Sequence, residues 1–322
     1  MQNKAPKVQS LVGKSSACLV LMPGLIFGQL SWQRYLRLPS SGDTSLSADA
    51  TGVFAVVGSD CTHIDNAGKL TSTRLDRSLK LSRPIAQDQS TCWFLAADAV
   101  LAVELTTGHI LSRISNFHMR VTQSVCSPGG ALLVVGDSNG KCYTIRSGHL
   151  HQISLSSKSA ITALAISADG TSCLVASLDG MVSVISLRTL KVIDRIKVDF
   201  PALSATYDVH RSVYWVATGL DIRTVPASRS RRQVFVEHLG QFASGLKSTR
   251  SGALLYVVPA TLAGSYGSRP NPTSSPADIW AWSGGKKTQV GQTYCFSLGI
   301  EPSGGVLWYV GVDSLLHSFR PT

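Results

Sequence analysis

Asp60, Asp98, Asp137, Asp179, Asp221 and Asp313 each follow a short apolar run, at or near a turn. Carboxylates repeated on one rim of a closed ring would attract cations or hold a ligand. Aspartate in a turn also bonds to nearby backbone amides, a role that needs no ligand. The second feature is the basic cluster Arg229, Arg231 and Arg232 with Arg223 nearby. Such a cluster attracts phosphate groups or acidic protein surfaces. No nucleic-acid motif or aromatic interleaving accompanies it, so nucleic acid has no support and a solvated loop is the plainer reading. His149 and His151 would face one side of a strand, but a protein zinc site needs three or four ligands and no third is evident. The seven cysteines, Cys18, Cys61, Cys92, Cys126, Cys142, Cys173 and Cys295, contain no Cys-x-x-Cys pair. They read as small buried hydrophobes, with a disulfide or two as the alternative. A nucleophile elbow, a P-loop and a dinucleotide fingerprint are all missing, so the sequence gives no catalytic residue, metal or cofactor.

The elements that would carry these side chains recur. Turn pairs fall at Thr51-Gly52, Gln89-Ser90, Gly129-Gly130, Asp169-Gly170, Arg211-Ser212, Ser251-Gly252 and Ser303-Gly304, each between two apolar runs. Their second residues lie 38, 40, 40, 42, 40 and 52 positions apart. A strand-rich repeat near forty residues is the mark of four-stranded β-propeller blades. In the clearest unit, Ile161 to Ile166 alternates, Asp169-Gly170 turns the chain, and Cys173 to Ala176 returns. Val182 to Ile185 and Lys191 to Ile196 supply a third and fourth strand. Val121 to Leu155 repeats that order.

On these residues the chain resembles known propeller families. Val182 to Leu187 with Thr189 to Val192 looks like YVTN-type and WD40-type repeats. Ala99 to Ile114 looks like PQQ-like repeats, and Val209 to Val225, with Tyr214-Trp215, is similar to YWTD-type blades. The Trp-Asp dipeptide of orthodox WD40 units is absent. The fold expected is all-β, one propeller of four-stranded antiparallel blades, seven in number with eight as the alternative.

The N-terminus decides between those counts. Residues 1–42 carry Lys4, Lys7, Lys14, Arg34 and Arg37 and no acidic residue, with an apolar core from Ala17 to Phe27 broken by Pro23-Gly24. This pattern reads as a signal peptide over residues 1–28, implying export. The run is too short to span a bilayer. Trp32 to Leu38 would then complete the last blade and close a seven-bladed ring. In the alternative, residues 7–40 form an eighth blade of an intracellular protein. Residues 29–322 otherwise form one domain, for which a 44% hydrophobic, 322-residue chain has ample core.

One insertion, 259–277, rich in Pro, Ser and Gly, interrupts the repeat and carries Tyr266 and Arg269. Long loops of this kind often hold recognition residues. The function expected is a non-enzymatic scaffold that binds protein partners through its loop faces. The alternative is an exported enzyme or small-ligand binder that uses the channel mouth and its aspartates.

Overall fold

At several hairpin turns a glycine or small polar residue between two apolar runs adopts a positive φ and folds one run onto the next. Gly130, Gly170 and Gly252 take φ of 70°, 65° and 81° at first-hairpin turns. At the matching turns Gln89 and Ser212 reach 45° and 54° without being glycine. The computed structural model describes residues 19–21, 34–36, 44–48, 52–57, 59–65, 67, 69–75, 81–96, 99–115, 120–227, 236–238, 243–249, 252–259, 277–283, 286–293, 298–300, 307–310 and 316–319.

Two short strands come first, β1 (Leu19–Leu21) and β2 (Arg34–Leu36), paired antiparallel. The first blade is β3 (Thr44–Ala48), β4 (Gly52–Val57), β5 (Asp60–Asp65) and β6 (Leu70–Arg74). The second is β7 (Leu81–Asp88), β8 (Thr91–Ala96), β9 (Ala99–Glu104) and β10 (Ile110–Ser115). The third is β11 (Val121–Cys126), β12 (Leu132–Asp137), β13 (Cys142–Arg146) and β14 (His149–Ile153). The fourth is β15 (Ile161–Ile166), β16 (Ser172–Ser177), β17 (Met181–Ser186) and β18 (Lys191–Lys197). The fifth is β19 (Ala202–Asp208), β20 (Val213–Thr218), β21 (Asp221–Pro226) and β22 (Val236–His238). The sixth is β23 (Ser244–Ser248), β24 (Leu254–Pro259), β25 (Ala277–Ser283) and β26 (Lys286–Thr293). A three-stranded sheet follows, β27 (Leu298–Ile300), β28 (Leu307–Val310) and β29 (Leu316–Phe319).

The first strands of successive sheets touch in turn, β3 to β7, β11, β15, β19, β23 and β27, and β27 returns to β3. These seven strands therefore ring a central axis. In each antiparallel meander the turns alternate between two ends, so the turn from second to third strand and the connector to the next blade share one face of the ring.

Among the described residues there are six four-stranded blades, not the seven or eight expected from the repeat. The last sheet has three strands, because β2 lies beside β29 but its ladder partner is β1. Within residues 7–40 the described residues are those of the β1–β2 pair.

The core is divided among the seams between blades. Second strands are buried on both faces: β12 and β16 are buried along their whole length. Leu132, Val134 and Cys142 of the third blade pack on Leu164, Cys173 and Val175 of the fourth. Leu174, Val182 and Val184 pack on Tyr214 and Val216 of the fifth. Trp215 and Ala217 meet Leu254 and Tyr256 of the sixth, with Trp282 edge-on to Trp215 at 5.6 Å. Fully burying one such side chain stabilises by roughly 1.5–3 kcal/mol.

Hydroxyls of first strands add polar links across the seams. Thr122 donates to the Ile161 carbonyl at 2.7 Å, and Ser124 donates to that of Ile85. Ser204 and Thr206 accept from the backbone N–H of Leu246 and Ser248, at 2.9 and 3.3 Å. Buried Ser172 and Tyr214 share a 2.8 Å bond. These bonds fix the height of one blade against the next, which apolar contact alone would leave free to slide.

Candidate functional site

A second-to-third-strand turn places its aspartate where the strand ends and the backbone amides of the turn point back at it. Asp137 closes β12, is buried, and accepts from the N–H groups of Asn139 and Lys141, both at 2.8 Å. Asp179 accepts from the Ser177 hydroxyl at 2.6 Å, the Met181 N–H at 3.1 Å and the Ser157 hydroxyl at 3.2 Å. Burial pushes its carboxyl up, but those hydrogen bonds and the charge of Lys197 outweigh it and hold the group below the usual carboxylate range. Asp221 accepts from His238 Nδ1 at 2.8 Å and from Arg223 at 3.0 Å, and those two bonds hold its carboxyl low. Arg223 also lies 3.9 Å from Asp199, and among the described residues its buried Nε has no hydrogen-bond partner. Asp60 pairs with Arg74 at 3.4 Å, both more than half exposed, an arrangement of little energetic weight.

Each described aspartate of the series is thus engaged by its own turn or by its own blade. They sit in four different blades, and among the described residues no three His, Cys, Asp or Glu side chains are grouped to hold a metal. Asp98, Asp313, Arg229, Arg231, Arg232, Tyr266 and Arg269 lie outside the described residues. His149 and His151 are exposed on β14. Cys61, Cys92, Cys126, Cys142 and Cys173 are buried and unbridged.

The same face carries two apolar side chains that the sequence reading passed over. Leu178, in the turn from β16 to β17, is 36% exposed, and Phe200, in the connector from β18 to β19, is 48% exposed. Phe200 lies over the turn of the next blade. A Cβ on Gly219 would come within 2.8 Å of its ring, and Gly219 has φ of 58°. The sixth blade's hairpin at the paired Pro259 and Ala277, from which the insertion leaves, opens on this face too. Val209, 49% exposed, is in a first-to-second-strand turn and so belongs to the opposite face. An apolar side chain next to a glycine-floored turn signals such a spot only once the turn's face is known.

No protein-family model matches the chain, and no curated protein matches it. Solved structures do. A chain of the mitotic checkpoint complex aligns over 100% of this chain and 97% of its own length, with a TM-score of 0.68 at 14% identity. The fold is that of a β-propeller. The Cps50 (Swd1) β-propeller domain of Myceliophteria thermophila aligns over 89% of this chain and 98% of its own length, with a TM-score of 0.64 at 13% identity. At these identities the likeness is one of fold. Without a Trp-Asp dipeptide, this propeller holds its turns by other residues. Asp88, Ser127, Ser167, Asp208 and Thr249 close successive first strands 39, 40, 41 and 41 positions apart. Ser127, Ser167 and Thr249 accept from the N–H of Leu132, Ser172 and Ala253, at 3.0, 3.0 and 2.9 Å. Among the described residues no helix is long and apolar enough to cross a membrane.

Proposed function

We propose that this propeller is a non-enzymatic protein-interaction module whose partner docks on the face that carries Leu178 and Phe200. The observation that carries the reading is that pair of exposed apolar side chains, set among turn carboxylates already satisfied by their own blades. Large exposed aromatics on a fixed framework are what interface centres use, and converging unsatisfied polar groups are what a catalytic pocket uses. Closed rings supply such a framework because their sheet edges are spent in closure. One of the matched folds comes from a complex by name, the mitotic checkpoint complex, which supports a scaffold role by analogy of fold alone.

Affinity capture from the native host with the wild-type chain and with Phe200→Asp, compared by mass spectrometry, tests it. A protein recovered by the wild type and lost by the folded variant supports the reading, and identical recovery contradicts it. Export is a separate matter. A leader cut after Gly28 gives a mature chain that starts at Gln29, and an intact start at Met1 or Gln2 contradicts it.

A further inference from the structure

The outer strand of a propeller blade keeps one edge of unpaired N–H and C=O groups. Natural sheets protect such edges with charge, with bulges or by keeping the strand short. Five of the six four-stranded blades follow that rule. β6 carries Arg74, and β22 is three residues long with Glu237 at its centre. β10, β18 and β26 carry Arg113, Lys191 and Lys286, and each has a bulge in its ladder. β14, with the sequence His149-Leu150-His151-Gln152-Ile153, has none of these protections. Its register with β13 runs without a break, and its other edge pairs with no strand among the described residues. Four of its five residues are exposed, Leu150 at 41%.

The register defines what that edge offers. Ser147 and Gly148 form a two-residue turn with φ of 48° and 79°, so Arg146 and His149 are the first hydrogen-bonded pair, and His151 and Ile153 bond to β13 in the same way. Leu150 and Gln152 therefore turn their N–H and C=O groups away from β13, toward the open edge. The side chains alternate too. His149 and His151 share a face with Arg146 and Thr144, and Leu150 lies on the other face beside Ile145. Available charge here has one sign. Lys141 and Arg146, just before and at the end of β13, are exposed, and among the described residues neither side chain is in an ion pair. Asp137, the blade's one carboxylate, is buried and held by its own turn.

We propose that β14 takes up an extended acidic peptide of a partner protein as a fifth strand of the third blade. The peptide backbone pairs with Leu150 and Gln152, its carboxylates lie on the face of Arg146, and its apolar side chains lie on that of Leu150. A second copy of this chain is the poorer occupant, because it brings another Lys141 and Arg146 and no free carboxylate to the same rim. The site is on the outer rim and stands or falls apart from the face of Leu178 and Phe200.

The probe is a blocked, fluorescein-labelled peptide of alternating Glu and Val, titrated with the full chain and followed by anisotropy. The wild type is expected to bind it, and Leu150→Pro, which removes an outward N–H that β13 does not use, to lose at least about tenfold in affinity. Arg146→Gln is expected to weaken binding about two- to fivefold, as loss of one exposed charge pair does. No binding by the wild type, equal binding by Leu150→Pro, or equal binding of the same peptide N-methylated at every residue overturns the proposal. Equal binding of a peptide of alternating Lys and Val overturns the acidic chemistry. A dimer of the free chain that Leu150→Pro dissolves makes a second copy the occupant and overturns it too. Should Leu150→Pro fail to fold, hydrogen exchange of the wild-type complex replaces it. Protection at Leu150 and Gln152 supports the fifth strand, and protection only elsewhere overturns it.

Discussion

The fully buried carboxylate of Asp208 accepts a 3.0 Å hydrogen bond from the indole N–H of Trp215 on the neighbouring strand. Arg211 donates to the same oxygen at 2.7 Å, reaches on to the carbonyl of Gly252 in the sixth blade at 3.0 Å, and lies over the Trp215 ring. One carboxylate thereby ties a first-hairpin turn to its own blade's core and to the next blade.

Removing that carboxylate leaves a buried indole N–H and a guanidinium without their acceptor. Asp208→Ala is expected to lose about 1–3 kcal/mol, the range for leaving a buried donor unsatisfied, because the Arg211 side chain is 43% exposed and is rehydrated. Urea unfolding followed by tryptophan fluorescence measures it. A double-mutant cycle of Asp208→Asn with Trp215→Phe should give a coupling of about 0.5–3 kcal/mol, as for residues in one network.

Acid should act through the same group. Burial alone would raise the Asp208 carboxyl, but its bonds to Trp215 and Arg211 win and hold it below its ordinary value. Its contribution to stability is therefore complete above an unfolded value of about 3.9 and is lost as pH falls through the lower folded value. Between pH 5 and pH 2, the wild type should lose stability more steeply than Asp208→Asn. Asp169, Asp179 and Asp221, also held low, leave a residual slope in the variant. Parallel decline of the two proteins would contradict this.

Seam packing predicts a cost at Gly136. A Cβ there would lie 2.5 Å from the Ile161 side chain of the next blade. Gly136→Ala is expected to destabilise by about 1–3 kcal/mol, the range for overpacking. Adding Ile161→Val to that variant should recover none of the loss, as read from the urea midpoint, because the Cβ and both Cγ atoms that the new methyl meets are all kept in valine.

Buried thiols should be inert. Burial pushes Cys61, Cys126 and Cys142 up to about 12 and Cys92 and Cys173 well above the ordinary thiol. Iodoacetamide at pH 8 followed by peptide mass spectrometry should leave all five unmodified in the native chain and modified after guanidinium. Rapid native labelling of Cys142 or Cys173 would mean that the seam between third and fourth blades opens.

Blades were readable where a turn former and alternation coincide. Ile161 to Ile196 was assigned nearly strand for strand, because Asp169-Gly170 and Asp179-Gly180 mark both hairpins. The blade count was not, because whether Arg34–Leu36 joins the last sheet depends on a contact between chain ends that no local pattern encodes. For the aspartates, spacing showed that they recur in turns but not that each turn satisfies its own, as the Ser177 and His238 bonds do. The series that does repeat structurally, from Asp88 to Thr249, mixes Asp, Ser and Thr, so identity of residue type hid it.

The most direct measurement on the partner face is a hydrogen-exchange footprint of the complex recovered by affinity capture. Protection is expected at 177–180, 197–201 and 219–221, the turns and connector around Leu178 and Phe200. Protection confined to the outer strands β10 and β14, or to the opposite face at Val209, would contradict the assignment.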